Sequence, residues 1–587
     1  MDRRTLLAVV LSVVVITAGF MIQNALYPPE PAPPASTAEP APAEEPAEPR
    51  DTDAQDPGDG SQPQTQTPSS GRMVSASRIL PVEDSSIRPR EVTVSTDLLQ
   101  VVLDSRGAQV SEFLLKEHTD TIQGTPVDMV YNPGEAPGAF RLHFGGPDTP
   151  AVDAVYDVRV RDNGKTVEFF RDFYIPGRED TPFTITKTYR FADGEYLFEL
   201  EVAFANSVNE FLPASEEGYA YTLSFGPQIG PEFRELDNRN EYRRYFSYRD
   251  GNRDNINLNR RNTELIEDRV DWVAVVGKYF AFVGIPGVTQ YDITVSTEAV
   301  TDVPEASQVF FSRPPIRSSA NSDTYRFYLG PKINRVLARY TDSGENAFGI
   351  SEELDAAIDS RFLLGWLENV LKFLLNLIYQ VVPNYGVAII ILTIIVKVLM
   401  FPLTKKSYES TARMQEMSPK ITELREKYKD NPQKLNAEMA AVYKKEGINP
   451  LGGCLPMALQ FPFFIAMFGL FNNHFDLRGA TFIPGWITDL SSPESIWNFG
   501  EFTLPFLGWN DLRLLPVLFV ATQLVTSKTM QTPQASAGNM KMMTYMLPIV
   551  FFFVLYNMPS GLLVYWIVTN VLTAGQQYFN NIKKHPA

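Results

Sequence analysis

The residue best placed to do chemistry is Lys397, which lies inside the apolar run AIIILTIIVKVLMFPLTKK, residues 388–406. A charged side chain inside a membrane-spanning helix is costly and by default marks a functional site. Lys397 lies eight residues before Lys405, about 12 Å along a helix that rises ~1.5 Å per residue. A lysine that snorkels to the interface covers only about half of that depth. No Asp or Glu lies in the interior of the other predicted spans, so we expect water to solvate the ammonium in a cavity open to the cytoplasm, with snorkelling as the alternative.

Uncharged polar residues in the predicted spans could line such a cavity. Singly, each of them is more often a hydrogen-bonding contact between helices than a cavity residue. Together with a lysine that has no acidic partner, they favour a polar groove. The residues predicted to face this groove are Lys397, Thr393, Gln460, Gln523, Thr526, Asn570 and Gln577.

Other common chemistries have no matching residues in this sequence. The single cysteine, Cys454, excludes an intramolecular disulfide, and four scattered histidines form no metal-ligand cluster. The segment NGKT at 163–166 lacks the first glycine of a phosphate loop, because Arg159 occupies that position. The sequence therefore predicts no cofactor, no metal site and no catalytic residue, and the protein is not predicted to be an enzyme.

Charge divides the chain into two halves. Residues 351–587 carry 19 Lys and Arg against 17 Asp and Glu, a net charge of +2, so the total of −17 leaves −19 for residues 1–350. An acidic first half disfavours direct binding to nucleic acid. The apolar segments of the second half predict membrane spans at about 384–404, 452–472, 511–529, 543–557 and 560–580.

The amino-terminal segment and the loops predict the topology. Residues 6–22 form an apolar run after two arginines without a small-residue cleavage site, which favours an uncleaved anchor over a cleaved signal peptide. Residues 405–450 carry ten Lys and Arg, whereas residues 473–510 carry one. By the positive-inside rule, the first of these loops and both termini are cytoplasmic, and the large domain and the second loop lie on the outer side.

The large domain has the pattern of an antiparallel β-sandwich. Alternating apolar residues flank Asn163-Gly164 and Asp193-Gly194, the strongest short-range hairpin signals. Before it, residues 28–70 contain twelve prolines and nine acids, which indicates a disordered tether. The predicted parts are an anchor (1–27), a disordered Pro-rich acidic linker (28–87), a β-sandwich domain (88–350), an interfacial amphipathic helix (351–383) and a five-span core (384–582) with a cytoplasmic helical hairpin (405–450).

The cytoplasmic segment has its own helical pattern. Met414, Met417 and Ile421 recur at three- and four-residue intervals, which predicts one face of a helix. Asn431 before Pro432 predicts the amino-terminal cap of a second helix. A methionine-rich face is more often packing than binding, although methionine also suits surfaces that accept varied partners.

Three long segments resemble the YidC family of membrane protein insertases, which has mitochondrial and chloroplast relatives. They are VKVLMFPLT (396–404), NPLGGCLPMALQFPFF (449–464) and MPSGLLVYWIVTN (558–570). DWVAVVGKYFAFVGIP (271–286) and FYLGPK (327–332) are similar to the outer domain of the Gram-negative members. The resemblance covers nearly the whole chain, so the fold that it implies is a multi-domain membrane protein: an N-terminal anchor, a large periplasmic galactose-mutarotase-like antiparallel β-sandwich and a five-helix insertase core.

The resemblance also implies sites and partners. It implies a groove in the inner leaflet with one basic residue at the position of Lys397, where most relatives have arginine. A hydrophobic slide for the incoming helix is implied along the third and fifth spans, at Leu455, Phe461 and Pro462. The implied function is insertion and folding of newly made proteins in the bacterial inner membrane, alone or with the Sec translocon. The implied partners are nascent membrane proteins, membrane lipid, and the ribosome or targeting factors at the cytoplasmic hairpin.

Two other function classes remain open from the residues. A secondary transporter would also hold an intramembrane charge, but it usually shows internal repeats, and none is visible across the core spans. A membrane-anchored carbohydrate-active enzyme could use the β-sandwich, although a catalytic carboxylate pair requires a specific geometry.

Overall fold

The computed structural model describes most of residues 79–584. It leaves out 1–78, 585–587 and the internal segments 121–123, 131–137, 207–217, 227–228, 231–240, 259–260, 288, 299–305, 317, 359–364, 430, 447–454, 501, 505–508 and 531–538. The predicted anchor at 6–22 and most of the predicted linker therefore lie outside the described residues.

Residues 79–331 form short strands in antiparallel sheets, as the alternating pattern predicts. The described strands are β1 (Leu80–Pro81), β2 (Glu91–Ser95), β3 (Leu99–Asp104), β4 (Gln109–Thr119), β5 (Pro126–Asp128), β6 (Arg141–His143), β7 (Asp157–Arg161), β8 (Thr166–Tyr174), β9 (Phe183–Arg190), β10 (Leu197–Asn206), β11 (Tyr221–Phe225), β12 (Arg244–Arg249), β13 (Asn252–Ile256), β14 (Thr263–Ile266), β15 (Trp272–Val276), β16 (Phe280–Ile285), β17 (Asp292–Ser296), β18 (Gln308–Arg313) and β19 (Ala320–Pro331).

Three sheets pack around one apolar core. Within the described residues the largest sheet has the order β1-β8-β9-β10-β19-β16-β15-β12-β13, with β7 also paired to β8. The second has the order β14-β17-β18-β11-β6 and the third β2-β3-β4-β5. Inward-facing side chains of all three sheets, such as Phe113, Phe198, Phe311 and Phe327, form the shared core. This arrangement confirms the predicted antiparallel β-sandwich.

Both predicted hairpins are present. Strands β7 and β8 pair with Val158 opposite Phe169, and the turn between them is a short 3-10 segment, Asp162–Gly164, with Asn163 at a φ of 54°. Strands β9 and β10 pair across a turn in which Gly194 has a φ of 73°. Asn and Gly suit these turns because both residues tolerate the left-handed region. The segment NGKT is therefore a hairpin turn.

Two predicted boundaries differ from the structure. Residues 79–87, assigned to the linker, include strand β1, which pairs with β8 at the edge of the largest sheet. Proline is compatible with an edge strand, because the missing donor faces away from the ladder. Residues 351–358, assigned to the interfacial helix, instead form a 3-10 turn at Leu354–Ala357 whose apolar side chains join the sandwich core.

The remainder of the chain is mostly helical. After the four-residue helix α1 (Asn334–Leu337) come α2 (Gly365–Val381), α3 (Tyr385–Glu416), α4 (Ser418–Lys427), α5 (Pro432–Lys445), α6 (Leu455–Asn473), α7 (Leu515–Met530), α8 (Asn539–Leu555) and α9 (Ser560–Lys584). Two short strands, β20 (Trp497–Asn498) and β21 (Asp511–Leu512), pair between α6 and α7. The predicted span at 511–529 therefore begins too early, because Asp511 and Leu512 belong to β21.

One helical stretch in the described part, Tyr385–Pro402, is long and apolar enough to cross a membrane by length and composition. Gln460–Asn472 and Leu515–Lys528 are shorter apolar stretches. The predicted count of five core spans therefore remains a prediction. The helices share an apolar core to which α2 contributes Leu367, Leu371 and Leu375 from one face.

The described residues of 405–446 form the predicted helical hairpin with one change. Helix α3 runs on to Glu416 as a single 32-residue helix, and α4 begins at Ser418, so the chain breaks at Met417 within the predicted first helix. Pro419 lies in the first turn of α4, a position that proline favours. The predicted cap is present, since Asn431 Oδ1 accepts a hydrogen bond from Lys434 N at 3.0 Å.

Candidate functional site

The site is centred on Lys397, in the middle of α3. Its ammonium donates a hydrogen bond to Thr573 Oγ1 on α9 at 3.0 Å. Thr573 Oγ1 in turn donates to the carbonyl of Thr569 at 2.7 Å. No ion pair joins Lys397 to a carboxylate in the part of the chain that the structure describes. An ammonium has three donors, so one hydroxyl leaves capacity for further oxygen atoms.

A narrow cleft surrounds this ammonium. Polar and apolar side chains from α3, α6 and α9 line it: Thr393, Val396, Lys397, Met400, Thr404, Gln460, Phe463, Tyr565 and Thr569. The space open to the centre of a water molecule is about 10 Å³, room for about one water. The structure thus places Lys397 in a narrow cleft of mixed lining, in which Val396, Met400, Phe463 and Tyr565 stand beside the polar side chains.

The predicted groove residues separate into two groups. Thr393 and Gln460 share the cleft with Lys397. Thr526, Asn570 and Gln523 do not line it. Thr526 Oγ1 donates to the carbonyl of Asn570 at 3.2 Å, and Gln523 is half-buried on α7. These contacts are the helix-to-helix hydrogen bonds that such residues commonly make in membrane proteins.

Gln577 is also absent from the cleft lining. Its side chain is buried, and its Oε1 has no hydrogen-bond partner in the structure. A buried carbonyl oxygen without a donor is costly, so Gln577 is a position at which a water or a substrate donor would be favourable.

Two polar residues of the cleft, Thr404 and Tyr565, escaped the sequence reasoning, and so did Thr573, the hydrogen-bond partner of Lys397. Tyr565, Thr569 and Thr573 follow each other at intervals of four on α9, and this spacing puts them on one helical face. That regularity is the signal that could have identified Thr573. Thr404 had no comparable signal, because its partner, Gln576 Nε2 at 3.5 Å, comes from another helix.

The predicted slide residues lie at the start of α6. Helix α6 begins at Leu455, whose side chain is outside the described part. Phe461 is 56% exposed, and Pro462 is half-buried within the helix. One turn further along the same helix, Phe464 lies 6.4 Å from Phe461 between ring centroids and stacks on Trp566 with centroids 4.8 Å apart. Phe461 therefore presents a largely exposed aromatic ring directly after Gln460, which lines the cleft.

At the other end of α6, the following loop contacts the β-sandwich. Arg478 NH1 donates to the carbonyl of Thr119 at 2.6 Å, and its guanidinium lies 5.1 Å from the Phe280 ring centroid. Phe475 packs edge-on against His118, with ring centroids 5.1 Å apart. Burial and, to a smaller extent, the Arg478 charge lower the pKa of His118 to about 4. We call this set of contacts the loop–sandwich contact.

A buried carboxylate organises the start of α7. Glu494 Oε1 accepts hydrogen bonds from Leu514 N and, at 2.7 Å, from Leu515 N. Its Oε2 accepts from Trp486 Nε1 at 2.9 Å. The first N–H groups of a helix have no partner within the helix, and they carry partial positive charge. Glu494 therefore caps α7 and fixes where this helix leaves the loop.

Comparison with known proteins covers both halves of the chain. Residues 91–377 match the family described as YidC periplasmic domain, and residues 377–586 match the family described as 60Kd inner membrane protein. The protein named membrane protein insertase YidC from Treponema denticola is 40% identical over 99% of this chain and 99% of its own length. The protein of the same name from Treponema pallidum is 35% identical over 98% of each chain.

Two solved structures are also similar. One is titled as an active YidC insertase with the first transmembrane domain resolved, at a TM-score of 0.32 and 14% identity over 85% of this chain and 95% of that chain. The other is a galactose mutarotase-like protein from Lactobacillus casei, at a TM-score of 0.30 and 10% identity over 41% of this chain and 100% of that chain. At these scores neither likeness carries an argument here.

The matches to whole insertase chains decide between the function classes that the residues left open. Relatives at 35% and 40% identity align along essentially their full length, so the transporter and carbohydrate-enzyme alternatives are not supported. From the family profiles and these relatives together, we conclude that the chain belongs to the YidC family of membrane protein insertases.

Proposed function

We propose that this chain inserts newly made proteins into the bacterial inner membrane, with the cleft around Lys397 receiving the hydrophilic flank of the substrate. The observation that carries the proposal is the hydrogen-bond partner of Lys397. This ammonium lies on a helix long enough to span a membrane, and it donates to a hydroxyl, Thr573 Oγ1, at 3.0 Å. An ammonium already paired with a carboxylate would attract little further charge. This one still attracts an acidic flank, because Coulomb energy rises as the effective dielectric falls.

The size of the cleft adds a step to this mechanism. A peptide flank cannot enter a space with room for about one water. We propose that α6, which contributes Gln460 and Phe463 to the lining, moves away from α3 and α9 to admit it. The newly exposed polar groups then hydrogen-bond the flank, and Gln577 Oε1 is one acceptor without a present partner.

Release into lipid follows from the apolar part of the substrate. We propose that the incoming helix passes along Leu455, Phe461 and Pro462 on α6 and along α8. Burial of its apolar surface in lipid supplies the free energy, at roughly 25 cal/mol per Å². The membrane potential adds about 2.3 kcal/mol per charge per 100 mV for charged flanks.

Site-specific photocrosslinking tests the slide. A photoreactive phenylalanine analogue at Phe461 should trap a nascent membrane protein during insertion. The matched control is Val517 on α7, which is exposed to a similar degree but lies outside the proposed path. Trapping at both positions alike, or at neither, would count against the slide.

We propose the topology predicted by the loop charges, with both termini cytoplasmic and the sandwich periplasmic. The loop–sandwich contact supports this proposal, because Arg478 and Ser491 of the loop touch Thr119 and Lys278 of the sandwich. The loop after α6 and the sandwich must then lie on the same side of the membrane. A thiol-reactive reagent that does not cross membranes should label a cysteine at Asn255, exposed on β13, from the periplasmic side only.

We propose partners for two parts of the chain, the cytoplasmic helical hairpin and the periplasmic side. We propose that the cytoplasmic hairpin makes the first contact with substrate, ribosome or targeting factors. Its α4 and α5 pack through Met417, Ile421 and Met439, which leaves basic side chains outside. Deletion of 409–446 should impair insertion, and full activity of that variant would refute the role. Association with the Sec translocon is proposed for the periplasmic side, and copurification of its subunits with the full chain tests it.

A further inference from the structure

The loop between α6 and α7 carries a small apolar hairpin, formed by β20 and β21 with the described residues between them, 499–500, 502–504 and 509–510. Trp497 is 67% exposed, Phe502 is 60% exposed and Leu512 is 44% exposed. Trp497 is the direct cross-strand partner of Leu512, so their side chains lie next to each other on the same face. Large apolar side chains grouped on an exposed surface mark an interaction site more often than scattered ones do.

The position of this hairpin identifies its partner. Leu512 lies three residues before Leu515, where α7 begins, so at most about 11 Å of chain separates it from the helix end. Tyr556 Oη donates to the carbonyl of Asp511 at 2.5 Å, and the Trp509 ring stacks on Tyr556 with centroids 3.5 Å apart. The hairpin is thus fixed to the outer ends of α7 and α8.

The apolar surface continues from the hairpin onto these two helices. Val517 and Leu518 at the start of α7 are exposed, and so are Phe553 and Val554 near the end of α8. In a membrane-spanning protein this band faces lipid. Tryptophan and other aromatic side chains are enriched where such a band meets the headgroups.

The polar groups of the hairpin hydrogen-bond to one another. Asp511 Oδ1 accepts hydrogen bonds from Ser495 Oγ at 2.8 Å and Asn498 Nδ2 at 2.7 Å. Its Oδ2 lies 3.5 Å from Arg513 NH2. The second acid of the segment, Glu501, lies outside the described residues. The carboxylate nearest to Trp497 and Leu512 is therefore satisfied within the protein, which lowers the cost of placing this surface against lipid.

We infer that this hairpin inserts Trp497, Phe502 and Leu512 into the headgroup region of the membrane beside α7 and α8. The partner is a lipid surface. The leaflet follows from the proposed topology, which makes it the outer one. The insertion would hold the outer ends of both helices at a fixed depth while α6 moves.

Depth-dependent fluorescence quenching tests the inference on the full chain in phosphatidylethanolamine and phosphatidylglycerol vesicles. With Cys454→Ser as background, single cysteines at 497, 502 and 255 carry an environment-sensitive dye. Lipids with a nitroxide at the headgroup should quench the dye at 497 and 502 at least twofold more than at 255, and more than lipids with a nitroxide deep in the chain.

Two results would overturn the inference. One is quenching at 497 and 502 equal to that at 255. The other is a blue-shifted dye at 497 that no lipid quenches, because this would mean burial against protein. Quencher lipids occupy both leaflets, so the outcome depends neither on the proposed topology nor on insertase activity. A Trp497→Tyr variant retains an interfacial aromatic ring and should keep quenching at 502. Retained quenching at 502 would show that a change at position 497 does not by itself misfold the hairpin, which separates loss of insertion from misfolding.

Discussion

Replacement of Lys397 by glutamine should slow insertion of substrates with acidic flanks and spare substrates with neutral flanks. The ammonium has Thr573 Oγ1 as its partner, so its charge remains available to a substrate carboxylate. At 4–8 Å and an effective dielectric of about 20, the attraction is about 2–4 kcal/mol. Desolvation of both charges cancels part of this gain. We expect about 1.4 kcal/mol to remain, a tenfold difference in rate.

A double-mutant cycle isolates this energy. The protein carries either Lys397 or Lys397→Gln, and a single-span substrate carries either Asp or Asn in its translocated flank. Insertion rates into inverted membrane vesicles are read by protease protection of the flank. The Asp substrate should lose about tenfold more rate than the Asn substrate when the lysine is replaced, with a factor of ten equal to ~1.4 kcal/mol.

The control variant is Lys397→Arg, which keeps the charge with a different donor geometry. It should retain most of the preference for the acidic flank. Equal slowing of both substrates by Lys397→Gln would show that Lys397 acts through folding or packing. No slowing of either substrate would remove the lysine from the mechanism.

Three further predictions concern the loop after α6 and the loop–sandwich contact. Glu494→Gln removes the charge that caps α7 and should lower the free energy of unfolding by about 1 kcal/mol, measured by denaturant titration in detergent, and an unchanged midpoint would refute the capping role. Arg478→Met removes the donor to Thr119 and should increase hydrogen exchange in residues 473–480, whereas unchanged protection would show that the loop–sandwich contact does not depend on this arginine. The pKa of His118 is lowered to about 4, so the unfolded state binds more protons than the folded state between that value and the ordinary ~6.5. The free energy of unfolding should therefore fall as the pH falls through this window. A His118→Gln variant should lose that pH dependence, and an identical pH profile for both proteins would contradict the prediction.

The sequence predicted the elements whose signals are local. Alternating residues around Asn163-Gly164 and Asp193-Gly194 fixed two hairpins, because turn chemistry and side-chain period act over a few residues. The cap at Asn431 was equally local. The break at Met417 was missed, because the apolar face formed by Met414, Met417 and Ile421 continues through it. The sequence pattern of this segment is therefore that of one helix.

The candidate site was predicted only in part. Lys397 was identified from its cost in a membrane, and Thr393 and Gln460 share its cleft. Thr526 and Asn570 instead bond to neighbouring helices, since the rotation of one helix against another decides which polar groups meet. The small size of the cleft was also beyond sequence reasoning, because it depends on how Met400 and its neighbours pack.

The most direct test of the central proposal is the water accessibility of the cleft. In a Cys454→Ser background, a cysteine replaces either Thr573, the partner of Lys397, or Val398, which is exposed on α3 and does not line the cleft. A charged thiol reagent is added from the cytoplasmic side of inverted vesicles. The proposed movement of α6 would admit the reagent to the cleft, and thiols react as thiolates and therefore need water, so Thr573→Cys should react at least tenfold faster than Val398→Cys. Equal rates at the two positions would contradict a cytoplasm-facing, hydrated cleft around Lys397.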